Sequence, residues 1–111
     1  MDLITIAANL QCTDIGRSRD WYTTLFGREF DSEPMEGLLE WHHGESAVLQ
    51  LFEQSSTAGS GILTLIVQDL ARECERLRDL SPGPIEQGDD VQIARLTDPD
   101  GNTVVLVSAG A

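Results

Sequence analysis

Lysine is absent from this chain: all seven basic residues are arginines, set against nineteen acidic ones, for a net charge of −12 over 111 residues. That charge repels nucleic-acid phosphate and anionic lipid head groups, which excludes both as partners. Cysteine is scarce as well. Cys12 and Cys74 are too few and too far apart for a disulfide framework or a structural zinc site, so both read as reduced core thiols. No apolar run approaches the roughly 20 residues that a membrane span needs. Met1 to Asn9 carries no basic stretch and no small-residue cleavage pattern follows it, so the expected location is the cytoplasm. The length suits one domain, burying on the order of 65% of the unfolded surface, and excludes two full-sized ones.

An internal repeat is present. Sliding the chain against itself by 55 places Leu10 on Leu65, Asp14 on Asp69, Ile15 on Leu70, Arg17 on Arg72 and Leu51 on Leu106. Strand-like runs open each half, Leu3 to Leu10 and Ile62 to Val67. Asp14 and Asp69 follow as helix N-caps. The first helix sets Ile15, Tyr22, Leu25 and Phe26 on one face and stops at Gly27; the second runs from Leu70 through Cys74 and Leu77 to Leu80, before Pro82 and Gly83. Three strands then follow in each half: Glu29 to Glu33, Gly37 to His42 and Ser46 to Glu53, and again Pro84 to Gln87, Val91 to Thr97 and Asn102 to Ser108. Asp98-Pro99-Asp100-Gly101 is a hairpin turn, with both aspartates assigned to the turn itself. The expectation is an α+β fold of two βαβββ modules, residues 1–55 and 56–111, each too small to stand alone.

Period-two alternation sorts the strand residues by face. Ile4, Ile6, Ala8 and Leu10 belong under the helix, with Thr5, Ala7 and Asn9 opposite; Leu49 and Leu51 belong under it, with Val48, Gln50 and Phe52 opposite. In the second half Leu63, Leu65, Val104 and Leu106 are set against Thr64, Ile66, Val105 and Val107. The faces away from the helices are small and mildly polar, suited to lining a concave pocket.

Asp14 to Gly27, with the sequence DIGRSRDWYTTLFG, and Leu96 to Leu106, with LTDPDGNTVVL, resemble the first helix and closing hairpin of the vicinal oxygen chelate superfamily. That superfamily includes glyoxalases, bleomycin-resistance proteins and extradiol dioxygenases. The resemblance implies two βαβββ modules forming a curved mixed sheet around a cleft, in a homodimer. It also implies four metal-ligand positions, which fall here on Ala7, Gln50, Ile62 and Val105. Only Gln50 can donate, so no metal and no other cofactor is expected. Of His42 and His43, adjacent on a strand, one at most enters the cleft. The expected lining is Thr5, Asn9, Trp41, Gln50, Phe52 and Thr64, with His43 at the rim. Ten acids and three arginines in residues 1–55 and nine acids and four arginines in 56–111 spread the charge over both halves, at −7 and −5. The reading is a metal-independent protein that sequesters a small molecule, with a cationic ligand suggested by the bleomycin-resistance members. The alternative is a lyase, isomerase or dioxygenase-like enzyme with a displaced metal, held by His42 or His43, Gln50 and nearby carboxylates.

Overall fold

Each of the two helices begins on the aspartate expected to cap it. In the computed structural model, which describes residues 1–109, the Asp14 carboxylate accepts from the Arg17 amide at 3.1 Å and that of Asp69 from the Arg72 amide at 3.1 Å. These bonds occupy first-turn amides that the helix itself cannot satisfy. The first module is β1 (Ile6–Cys12), α1 (Ile15–Phe26), β2 (Ser32–Met35), β3 (Leu38–His43) and β4 (Ala47–Glu53). The second is β5 (Ile62–Ile66), α2 (Leu70–Arg76), β6 (Glu86–Gln87), β7 (Val91–Thr97) and β8 (Thr103–Ala109). Strand order is β1-β4-β3-β2 in one sheet and β5-β8-β7-β6 in the other. In each, the first strand runs parallel to the last and the remaining pairs are antiparallel. The architecture is the expected α+β pair of βαβββ modules.

Three boundaries differ from the sequence expectation for identifiable reasons. Strand β2 lies over Ser32–Met35 rather than Glu29 to Glu33, because the turn at Gly37 pairs Met35 with Leu38 and Ser32 with Glu40. Strand β1 starts at Ile6 rather than Leu3, because its partner β4 begins at Ala47, opposite Ile6. Leu3, Ile4 and Thr5 have no strand beside them, and Ile4 and Ile6 are exposed rather than covered by a helix. The second α-helix ends at Arg76, and a 3-10 turn over Arg78–Leu80 takes the place of its last turn. Ser81 then leaves with a left-handed φ of 56°, ahead of Pro82.

The helix-side residues of both sheets meet in one core. Leu10, Cys12, Leu39, Leu49 and Leu51 from the first sheet join Leu63, Ala94, Leu96, Val104 and Leu106 from the second, with Tyr22, Leu25, Leu70 and Leu77 between. Burial pushes the Cys12 thiol up to about 11, consistent with an inert core group; Cys74 is half-buried against the core, and both thiols are free.

The turn at Asp98 to Gly101 does more than reverse the chain. Its Asp98 carboxylate, 4% exposed, accepts from the amides of Asp100 and Asn102 at 2.9 Å. It also accepts from the Asn102 side chain at 2.8 Å and, across the modules, from the Tyr22 hydroxyl at 2.7 Å. The Asp100 carboxylate reaches back to the Thr13 hydroxyl at 2.6 Å, and the Asn102 amide to the Gln11 carbonyl at 2.9 Å. Gly59 lies against the same turn with φ +97°, where a Cβ would meet the Asp100 carbonyl at 2.4 Å. The two modules are thus clasped by polar bonds as well as by the shared core.

Candidate functional site

The helix-free face of the first sheet carries a polar row that follows from strand register. Asn9 on β1 is paired with Gln50 on β4, Gln50 with Glu40 on β3, and Glu40 with Ser32 on β2, so four polar side chains stand in one line. They are hydrogen-bonded along that line. Asn9 Nδ2 donates to Gln50 Oε1 at 3.3 Å, Gln50 Nε2 to Glu40 Oε2 at 2.9 Å, and the Ser32 hydroxyl to Glu40 Oε1 at 3.0 Å. His42 Nε2 lies 3.0 Å from the same Glu40 oxygen. The donors from Gln50, His42 and Ser32 hold the Glu40 carboxyl below the ordinary carboxylate range despite some burial, so the row is anchored on an ionised group. Asp31, likewise depressed by Arg28 and by the His42 amide, fixes the backbone beside it.

Asn9 and Gln50, both named from sequence, are brought together here. Phe52 lies on the same face, half-buried and one pair further along β4, opposite Leu38. Thr64 is exposed on β5 of the other sheet, at the position that the repeat matches to Asn9. Thr5 is exposed and precedes β1. Trp41 and His43 stand off this row and line a cavity between the modules instead. Trp41 is 2% exposed and belongs to the helix side, because it follows Glu40 and side chains alternate. It packs among Tyr22, Phe26 and Phe30, with its ring 5.7 Å from that of Phe26, and its Nε1 donates to the Arg28 carbonyl at 3.0 Å. His43 shares that side for the same reason, and it is His42 that stands on the polar face. Ser32 was not singled out from sequence, and Glu40 entered only as a carboxylate near the histidine pair, not as a partner of Gln50. The signal was available: a hairpin turning at Gly44 with Val48 opposite His42 sets Glu40 opposite Gln50 by counting alone.

The four positions where the superfamily's metal ligands would fall do not suit a metal. Ala7, Ile62 and Val105 have no donor atom, and Gln50 is already engaged by Asn9 and Glu40. Among the described residues no group of three or more His, Cys, Asp or Glu side chains is placed to hold an ion.

A cavity of about 470 Å³ opens elsewhere, between the two modules near the end of α1. Phe26, Trp41, Leu49 and Leu63 are among its walls, and Arg28, His42, His43 and Thr64 are its more polar members.

The glyoxalase-like domain profile matches residues 6–107. The chain belongs to the glyoxalase-like domain family. Among solved structures this glyoxalase-like chain is similar to a glyoxalase/bleomycin resistance protein from Catenulispora acidiphila DSM 44928, at 25% identity and a TM-score of 0.88, covering 97% of this chain and 100% of the other. An antibiotic binding protein from Streptomyces sp. CB03234 is similar at 21% identity and a TM-score of 0.84, with 99% of each chain covered. A lactoylglutathione lyase from Agrobacterium tumefaciens is similar at 17% identity and a TM-score of 0.79, covering 97% of this chain and 94% of that one. The last two share the fold with a binding protein and with an enzyme, so fold alone does not choose between the roles. No curated protein sequence matches the chain. No helix among the described residues is long and apolar enough to cross a membrane.

Proposed function

We propose that this glyoxalase-like domain binds and sequesters a small molecule, a drug or metabolite, on the polar face of its first sheet without using a metal. The observation that carries the reading is the Asn9–Gln50–Glu40–Ser32 row. It offers oriented hydrogen bonds on an open face, and the superfamily's ligand positions other than Gln50 are filled by Ala7, Ile62 and Val105, which cannot coordinate. Such a face binds through apolar burial plus a few directed polar contacts. Asn9 is exposed, and Glu40 remains ionised, which favours a ligand carrying a cation or several N–H donors. The Streptomyces antibiotic binding protein lends support through its shared fold.

A second copy of the chain is the natural cover for this face. Ile62 and Ile66 are 72% and 84% exposed on the helix-free face of the second sheet, and Leu3 and Ile4 are 63% and 88% exposed ahead of β1. Side chains of that size left in water mark an interaction surface. The working form is therefore a homodimer, and the two free thiols fit a reducing cytoplasm.

The test is calorimetric titration with bleomycin and a panel of other cationic small molecules in excess chelator. Binding should survive chelation, and Gln50→Leu should weaken it by about tenfold, the loss expected for one directed polar contact. Binding that requires added metal would overturn the reading. So would stoichiometric nickel, zinc, manganese or iron in protein purified without added metal, which would favour a lyase, isomerase or dioxygenase-like enzyme built on His42, Glu40 and Gln50.

A further inference from the structure

The 470 Å³ cavity between the modules takes most of its apolar wall from the helix side of the first sheet, while Thr64, Ile66 and His42, which contacts Glu40 of the polar row at 3.0 Å, border it from the other face. Its origin can be traced in the repeat. The position that carries Leu63 in the second module carries Ala8 in the first, and both residues line the cavity. Ala47, across β4 from the start of β1, is a second small wall residue. Helix α1 does not fill the space, because it ends at Phe26 and Gly27 turns the chain away with φ 72°. A truncated side chain and an early helix stop thus leave an opening over an otherwise closed core.

The floor of that opening is preformed. Trp41, Leu49 and Leu63 are 2%, 5% and 7% exposed, and Trp41 is held by three aromatic neighbours and a backbone hydrogen bond. The volume lies within the range of about 300–1,000 Å³ typical of small-molecule sites. Among the described residues no aspartate or glutamate lines the cavity, although the chain carries a net charge of −12. The only cation, Arg28, is already neutralised by both Asp31 oxygens at 2.8 and 2.9 Å. The chemistry here is therefore opposite to that of the polar row, where an ionised carboxylate is the anchor.

We propose that this cavity is a second ligand site, for an uncharged small molecule with an aromatic or alicyclic body and one polar group meeting His43 at the rim. A charged ligand would find no unpaired opposite charge here and would lose its hydration on entry. An uncharged apolar body replaces water against Phe26, Trp41, Leu49 and Leu63 and gains from burial alone. The site adjoins the polar face through His42 and the exposed surface of the second sheet through Ile66, and Gln50, which does not line it, separates the two in the test.

The test uses the neutral fluorophore N-phenyl-1-naphthylamine, whose emission rises in apolar surroundings. The expected result is saturable binding of one molecule per chain, with the Trp41 indole N–H resonance shifting along the same isotherm. Ala8→Phe and Ala47→Phe, both at exposed wall positions, should each weaken binding by about tenfold or more by occupying the space. Gln50→Leu should leave it unchanged, which separates this site from the polar face. Non-saturable emission, a stationary Trp41 resonance, or wild-type affinity in both phenylalanine variants would overturn the proposal. Binding that emerges only when the chain is diluted to a monomer would also overturn it, assigning the cavity to a segment of a second copy.

Discussion

Replacing Asp98 with alanine should cost far more than a turn residue normally does. In a surface hairpin, losing the turn aspartate removes one or two local hydrogen bonds and costs about 1 kcal/mol. Here the carboxylate is 4% exposed and accepts four hydrogen bonds, one of them from Tyr22 in the other module. Asp98→Ala strands the buried Tyr22 hydroxyl and one N–H of the Asn102 side chain, itself 1% exposed. Each buried donor left unpaired costs about 1–3 kcal/mol, so the two together with the lost turn amides should cost about 3–5 kcal/mol. Tyr22→Phe removes a single donor and leaves Asp98 three others, so it should cost about 1.5–3 kcal/mol, the range for a hydrogen bond to a charged group. Urea unfolding, followed through the fluorescence of Trp41 beside Tyr22, measures both. The ordering is the critical result: Asp98→Ala above Tyr22→Phe, and both above Pro99→Ala in the same turn. A Tyr22→Phe loss under about 0.5 kcal/mol, the scale of a surface substitution, would refute the cross-module clasp.

Gly59→Ala should destabilise the chain by about 2 kcal/mol or more, since the new Cβ would meet the Asp100 carbonyl at 2.4 Å in a left-handed backbone; thermal melts check this, and an unchanged midpoint would contradict it. Glu40 titrates below its ordinary value in the folded state, so its contribution is present at neutral pH and is lost as pH falls through that depressed value. Carbon-detected NMR should find its midpoint below 4.5, and Glu40→Gln should flatten the acid limb of the stability curve; a midpoint at or above 4.5 would remove the anchor from the polar row. Cys12, with its thiol pushed up to about 11 and fully enclosed, should resist dithionitrobenzoate at pH 8 until the chain unfolds, while Cys74 reacts first; equal rates would contradict the packing.

Much of this molecule is legible in its sequence because its signals are local and periodic. Asp14 and Asp69 cap helices as their spacing implies, and β7 runs over Val91–Thr97 as read. Alternation assigned Leu49, Leu51, Val104 and Leu106 to the core without reference to any partner. What escaped depends on which strand lies beside which. Leu3 to Thr5 has the composition of a strand but no neighbour, so β1 begins later and gains Gln11 and Cys12 instead. The face taken by Trp41 follows from Glu40 standing opposite Gln50, a pairing that sets Trp41 on the other side from Asn9 and Gln50, where it lines the cavity between the modules. The second role of Asp98 and Asp100 was invisible because Tyr22 and Thr13 lie more than seventy residues away in sequence. Trp41, His43 and Thr64, all named from sequence, line the cavity, but its small walls at Ala8 and Ala47 were not singled out.

The most direct test of metal-independent binding on the polar face is a nitrogen-edited NMR titration of the side-chain amides in excess chelator. With bleomycin or the tightest cationic ligand of the panel, the Asn9 and Gln50 amide resonances should move together on one saturable isotherm, while that of Gln92 on the second sheet stays in place. Stationary Asn9 and Gln50 signals, or shifts that emerge only after a divalent metal is restored, would contradict the account.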